Sequence, residues 1–151
     1  MAELVNDAGT LRFALVQAGE DEQGQVLGAA GLEYLDRRDG GWWPLLRLPV
    51  VRLPRASLEE LQHEIASLLS GTKPGFSWRP GEGDPVALQF GAASGGAIVE
   101  VGLDVGVFLE EATGVPKRPE AELALFRFHA LVPSLVLFSQ GLRSEFSGPP
   151  P

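Results

Sequence analysis

The sequence predicts an α+β protein in which two α-helices pack against an antiparallel β-sheet that is strongly curved or split into two. Much of the chain shows period-two or short apolar patterns between glycine, proline and aspartate turns, which is typical of a β-meander. Two segments, 58–70 and 131–146, instead repeat large apolar residues at helical spacing. Two amphipathic helices separated by strand-like segments therefore define the predicted fold class.

Three strands are predicted in the first third of the chain, at 10–18, 26–35 and 42–53. Asp39 and Gly40 form a tight turn, so the second and third strands are expected to pair as a hairpin. Pro44 and Pro49 donate no ladder hydrogen bond. The third strand is therefore predicted at a sheet edge, or broken near Pro49.

The first helix is predicted at 58–70. Ser57 is expected to be its N-cap, Glu60 to complete a capping box, and Gly71 to end it. Its buried face is expected to contain Leu58, Leu61, Ile65, Leu68 and Leu69.

The second half of the chain returns to strand patterns, at 76–79, 86–91, 97–103 and 105–110. Residues 120–130 are apolar on both faces, which favours a central strand. Pro133 suits the first turn of the final helix, whose buried face is expected to contain Leu131, Leu135, Phe138, Leu142 and Phe146. We predict no internal repeat, one domain at 1–146, and a disordered tail at 147–151.

Composition limits the classes of function. The chain has 151 residues, is 44% hydrophobic and has no cysteine, so we expect a packed core without disulfides. Its net charge of -8 repels nucleic acid and anionic membranes and favours basic partners. The longest apolar stretch, 130–142, is too short to cross a bilayer, and the N-terminus lacks a signal pattern, so we expect a cytoplasmic protein.

No pattern of an active site is present in the sequence. His63 and His129 lie far apart and have no neighbouring ligands at metal spacing, and Ser94 is not in a GxSxG motif. We therefore expect no catalytic activity, no metal and no cofactor. The carboxylates that would serve an enzyme instead are Glu100, Glu110 and Glu111.

Six residues are candidates for binding a partner protein. Trp42 and Trp43 are adjacent on a strand, so their side chains point to opposite faces and one can serve as an exposed anchor, unless loops cover both. Glu100, Asp104, Glu110 and Glu111 belong to the acidic stretch 82–122, and the alternative is that they form only a solvated edge.

Charge is distributed unevenly along the chain. Arginines crowd the hairpin region, at Arg37, Arg38, Arg47, Arg52 and Arg55. They are expected to pair with Glu59, Glu60 and Glu64 of the following helix, while residues 82–122 contain eight acids and only two basic residues. The alternative is an electrostatically two-faced molecule, with a basic hairpin region and an acidic surface at 82–122.

Several local motifs follow one another along the chain: Ser57-Leu58-Glu59-Glu60-Leu61 with Gly71, then Phe76-Ser77-Trp78, then Val86-Ala87-Leu88-Gln89-Phe90, and the terminal helix. With the order of elements, this match resembles WapI-type immunity proteins and related small bacterial domains. It covers about two thirds of the chain and implies a shared architecture, but no functional residue is carried over. The proline-rich third strand and the Gly/Pro tail depart from the pattern.

The resemblance implies a protein that neutralises a cognate toxin. With the acidic charge, it predicts that 82–122 binds another protein with a basic surface, such as the nucleic-acid-binding cleft of a toxin. The alternative is a structural or assembly subunit that self-associates through an apolar strand and Trp42 or Trp43.

Overall fold

The computed structural model describes residues 1–81, 85–120 and 122–146, so the expected tail lies outside the described residues. These residues form two four-stranded antiparallel sheets with consecutive strands in order. The N-terminal sheet contains β1 (Ala2–Val5), β2 (Leu11–Glu20), β3 (Val26–Leu35) and β4 (Trp42–Arg52). The C-terminal sheet contains β5 (Gly75–Trp78), β6 (Val86–Ala93), β7 (Gly96–Asp104) and β8 (Leu123–Leu131). The helices are α1 (Arg55–Leu69) between the sheets, α2 (Gly106–Thr113) between β7 and β8, and α3 (Val132–Phe146) after β8.

The predicted α+β fold with a split antiparallel sheet is confirmed. In addition, each sheet is a four-stranded meander followed by a helix of 15 residues, and the two halves differ in α2, which is inserted between β7 and β8. The prediction of no internal repeat concerned residue identities and stays a prediction. Apolar periodicity can specify the same elements twice without repeating residue identities.

One continuous core joins the two sheets and the long helices. The fully buried side chains include Phe13 of β2, Phe90 of β6 and Phe138 of α3, and the rings of Phe13 and Phe138 meet edge to face at 6.2 Å. The predicted core faces of the helices are buried at Leu58, Leu61, Ile65, Leu68, Leu135, Phe138, Leu142 and Phe146. Leu69 and Leu131, which were also predicted to be buried, are exposed.

Helix α1 starts earlier than the capping pattern predicted. Its N-cap is Pro54, with no side-chain hydrogen bond, because the Ser57 hydroxyl donates to the carbonyl of Pro80 instead. The Ser57 carbonyl in turn accepts a bond from the indole of Trp78 at 2.8 Å. The predicted capping box is therefore wrong, whereas Gly71 follows the C-cap with φ +79°, as expected of a helix stop.

Helix α3 covers the outer edge of β1, a strand that sequence patterns did not reveal. The Ser134 hydroxyl donates to the Val5 carbonyl and accepts a bond from the Val5 amide, both at 2.9 Å. Near the other end of α3, Glu145 accepts bonds from the Met1 ammonium group at 2.6 Å and from the Gln17 amide at 2.9 Å. The hydrogen bond from the ammonium group outweighs burial and holds the pKa of Glu145 below its ordinary value of 4.5.

Two further strand predictions need correction. Residues 106–110 of the strand predicted at 105–110 belong to α2, and the strand predicted at 120–130 is β8, which lies at an edge of its sheet rather than at its centre. Strand β4 lies at an edge, as predicted, and continues through Pro49 with irregular register opposite β3. The C-terminal sheet therefore ends on an apolar strand with one open side.

Candidate functional site

The candidate site is α2 with the turn that follows it. Asp104 accepts a hydrogen bond from the Gly106 amide at 2.9 Å, which satisfies an otherwise free donor at the start of the helix. Gly114 ends the helix with φ +72°, and its amide donates to the Glu110 carbonyl. These local bonds favour a helix over the strand that alternating apolar residues had suggested.

Helix α2 exposes apolar side chains at the end of the C-terminal sheet. Phe108 is 53% exposed, Leu109 36% and Val115 62%. Glu110 and Glu111 lie on the same short helix and are also exposed. We call these five residues the α2 surface. It combines an aromatic ring, aliphatic groups and two carboxylates.

The two other predicted acids are engaged within the chain. Asp104 is 4% exposed; besides Gly106, its carboxylate bonds the Glu122 amide at 3.3 Å and lies 3.4 Å from the Lys117 ammonium group. Asp104 therefore supports α2 and does not face a partner. Glu100 lies on β7, where its carboxylate pairs with Arg127 of β8 at 2.9 Å.

The structural role of Asp104 leads to a prediction. We expect Asp104→Ala to lower the free energy of unfolding by about 2–3 kcal/mol, because two amides lose a charged acceptor and Lys117 loses its counterion. Guanidinium denaturation measures this loss. The matched control is Glu111→Ala, which removes an exposed carboxylate of the same region and should change stability by less than about 0.5 kcal/mol. Equal effects of the two substitutions would contradict the assignment.

The tryptophans lie on the N-terminal sheet, away from α2. Their side chains face opposite sides of β4, as predicted, and only one is exposed. Trp42 is half-buried under the Arg12 guanidinium, 4.4 Å from the ring centroid, while Arg12 also pairs with Glu33 at 2.8 Å. Trp43 is 47% exposed and donates its indole N–H to Asp39 at 3.1 Å. The six predicted residues therefore do not form one site.

The predicted pairing of arginines with the helix acids is wrong. Among the described residues, Arg55 pairs with Glu20 at 3.4 Å and Glu64 pairs with Lys73 at 2.7 Å. No ion pair joins the hairpin arginines to Glu59, Glu60 or Glu64 in that part of the chain. Arg47 and Arg52 lie on β4 of the N-terminal sheet, whereas Arg55 lies on α1 but pairs with Glu20 of β2 instead of Glu59.

The two histidines differ in how far their side chains are exposed. His63 is exposed on α1. His129 has its Nδ1 atom 3.4 Å from the Asp7 carboxylate, while its Nε2 atom is buried without a hydrogen-bond partner. A substrate cannot reach that buried nitrogen. Within the described residues, no group of three histidine or carboxylate side chains could hold a metal ion.

Two grooves adjoin Glu100. Their other polar lining residues are Ser77, Arg79, Gln89 and Arg127, the remaining lining residues are apolar, and neither groove includes Glu110 or Glu111. The carboxylates considered for acid–base chemistry thus lie apart. No helix in the described part of the chain is long and apolar enough to cross a membrane.

Comparison with known proteins gives no relative: no protein-family model, curated protein or solved structure matches this chain. The resemblance to WapI-type immunity proteins therefore stays a prediction. Sequence reasoning missed Phe108, Leu109 and Val115, because residues 105–110 were predicted to form a strand and Val115 lies beyond that segment. The signal that could have found them is the helix-favouring run Leu109-Glu110-Glu111-Ala112 before Gly114.

Proposed function

We propose that this chain is a non-catalytic protein-binding module, an immunity protein that neutralises a cognate bacterial toxin by binding a basic surface of it. The observation that carries the proposal is the α2 surface, in which Phe108 is 53% exposed beside Glu110 and Glu111. Large apolar groups gathered at one exposed place are typical of interaction sites.

The apolar part of the α2 surface has the composition of an interface centre. Phe108, Leu109 and Val115 remain exposed although the chain has a well-filled core elsewhere. Interfaces commonly place aromatic anchors at the centre and charged groups at the rim. Phe108 is therefore the proposed anchor.

The charge of the surface comes from α2 itself. Glu100 and Asp104 are neutralised by Arg127 and Lys117, whereas Glu110 and Glu111 form no ion pair within the described residues. The Glu110 carboxylate accepts one hydrogen bond from the Lys117 backbone amide at 3.3 Å and keeps its charge unpaired. With the net charge of -8, these two carboxylates favour a basic partner and disfavour nucleic acid or an anionic membrane.

Other features support a role without catalysis. The Asp7–His129 pair turns its second ring nitrogen into the protein, and Glu100 lies in grooves apart from Glu110 and Glu111. An enzyme would need a nucleophile, acid or base at an accessible site with coordinated partners. Binding alone requires only the exposed surface.

The alternative function is an assembly subunit that self-associates through β4. Trp43, Leu45 and Val50 are exposed along this edge strand, at 47%, 51% and 65%. Pro44 and Pro49 remove backbone donors from the same strand and so oppose pairing with another strand. This alternative would place the interface on the N-terminal sheet.

The test is capture of the partner from the native host, followed by charge reversal. The double substitution Glu110→Lys and Glu111→Lys should weaken the captured complex, because it repels a basic partner where the wild type attracts it. A partner encoded by a neighbouring toxin-like gene would support immunity. Capture of no partner, together with a homo-oligomer that depends on Trp43, would instead favour the assembly alternative.

A further inference from the structure

Three of the four outer sheet edges are closed or unsuitable for pairing. Strand β1 is covered by Ser134 of α3, β4 contains two prolines, and β5 has only four residues. Strand β8 has nine residues without proline and, among the residues that the structure describes, pairs only with β7. It is therefore the edge best suited to accept another strand.

The hydrogen-bond ladder between β7 and β8 shows which backbone groups of β8 point away from β7. The Asp104 amide donates to Pro85 beside β6, and the His129 carbonyl accepts from Asp7 at 2.7 Å, on the side away from β7. Because antiparallel ladders alternate, the outward groups belong to Leu123, Leu125, Arg127 and His129. Within the described residues, the N–H and C=O groups of Leu123, Leu125 and Arg127 bond no neighbour on that side.

We propose that β8 pairs antiparallel with β8 of a second copy of this chain, with Leu125 at the two-fold axis. This register opposes Leu123 to Arg127 of the other copy, so all three free residues pair. Each hydrogen-bonded pair exchanges two bonds, and three pairs give about six. The two C-terminal sheets then form one continuous sheet.

In this register, the side chains of β8 in one copy are complementary to those of β8 in the other copy. Leu125 and Leu123, which are 60% and 42% exposed, lie on the outer face, where Leu125 meets its own copy. On the other face, small Ala124 lies opposite large Phe126, and both are half-buried in the single chain. Arg127 is already neutralised by Glu100, so no unpaired charge opposes the contact.

A single engineered thiol tests this register, because the chain has no cysteine. Hydrogen-bonded partners lie about 5.5 Å apart between Cα atoms, within the range of a disulfide. Under mild oxidation, Leu125→Cys should therefore cross-link most of the protein into dimers. The control Leu123→Cys should not, because the two thiols would be four residues apart along the strands, about 13 Å.

Sedimentation equilibrium tests the dimer without a cross-link. Leu125→Pro removes an outward N–H without removing a bond to β7, and should raise the dissociation constant of the dimer at least about tenfold. Val50→Lys, on the edge of β4, should leave the dissociation constant unchanged.

A wild type that sediments as a monomer up to its solubility limit, or equal cross-linking at positions 123 and 125, would overturn the proposal. If Leu125→Pro fails to fold, the comparison of Leu125→Cys with Leu123→Cys still tests the dimer. The dimer uses β8 and does not depend on partner binding by the α2 surface.

Discussion

Replacing Gly96 with alanine is expected to lower the free energy of unfolding by about 4 kcal/mol. Gly96 begins β7 opposite Leu131 of β8, where an added Cβ would collide with the carbonyl oxygen of Ala130. The Ala130 carbonyl carbon and the Leu131 Cα would each lie 2.8 Å from it. Since all three atoms belong to the backbone, β8 must shift and its pairing with β7 must loosen. Chemical denaturation measures the loss.

Gly91→Ala is the matched control for this prediction. Gly91 lies on β6 of the same sheet, and an added Cβ would have no neighbour within 4 Å. We expect a change within about 0.5 kcal/mol, and a gain is possible because alanine restricts the unfolded chain. Similar losses at both positions would show that close contact with β8 is not the reason for glycine at 96.

Phe108→Ser is expected to weaken the partner complex about 30-fold or more, which corresponds to about 2 kcal/mol for the loss of an aromatic anchor. The stability of the free protein should change little, because Phe108 is 53% exposed. Calorimetric titration with the captured partner measures the affinity, and denaturation of the free variant measures the stability.

Trp43→Ser is the control for the anchor, since it also removes an exposed aromatic side chain but from the N-terminal sheet. It should leave the affinity for the partner unchanged. If Trp43→Ser abolishes binding and Phe108→Ser does not, the interface lies on β4 and the proposed site is wrong.

Elements with a strong local pattern were predicted well. Strand β3 has the predicted bounds because turns delimit it on both sides, and α3 has the predicted buried face because its large apolar residues repeat at helical spacing. The position of β8 in the sheet was not predictable. Leu123 and Leu125 make the second face of β8 apolar, opposite the face of Phe126 and Phe128, as in a central strand. Both leucines are nevertheless exposed at an edge of the sheet.

The start of α1 shows how distant contacts override a local signal. Ser57 and Glu60 fit a capping box in sequence, but the Ser57 hydroxyl bonds the carbonyl of Pro80, 23 residues away. No pattern within the helix reveals that partner. The helix therefore begins at Arg55, after Pro54, whose fixed φ and missing N–H suit a helix start.

The candidate site was predictable only in part, because ion pairs formed in the folded chain decide which acids keep an unpaired charge. Glu100 and Glu110 look equivalent in sequence, but the ladder places Arg127 beside Glu100 and leaves Glu110 on an exposed helix. Similarly, alternation placed Trp42 and Trp43 on opposite faces, but only the fold shows that Arg12 covers Trp42. The local pattern predicted on which face of the strand each tryptophan lies, but the tertiary structure determines which of the two is exposed.

The most direct test of the proposed function is the association rate with the captured partner at several salt concentrations. Two double variants are compared: Glu110→Lys with Glu111→Lys on α2, and Glu59→Lys with Glu60→Lys on α1. Each Glu→Lys change adds +2, so both variants move the net charge from -8 to -4. We predict that wild-type association slows as salt rises, and that the α2 variant associates much more slowly than the α1 variant at low salt. Equal rates for the two variants, or a wild-type rate that does not change with salt, would contradict binding of a basic partner by the α2 surface.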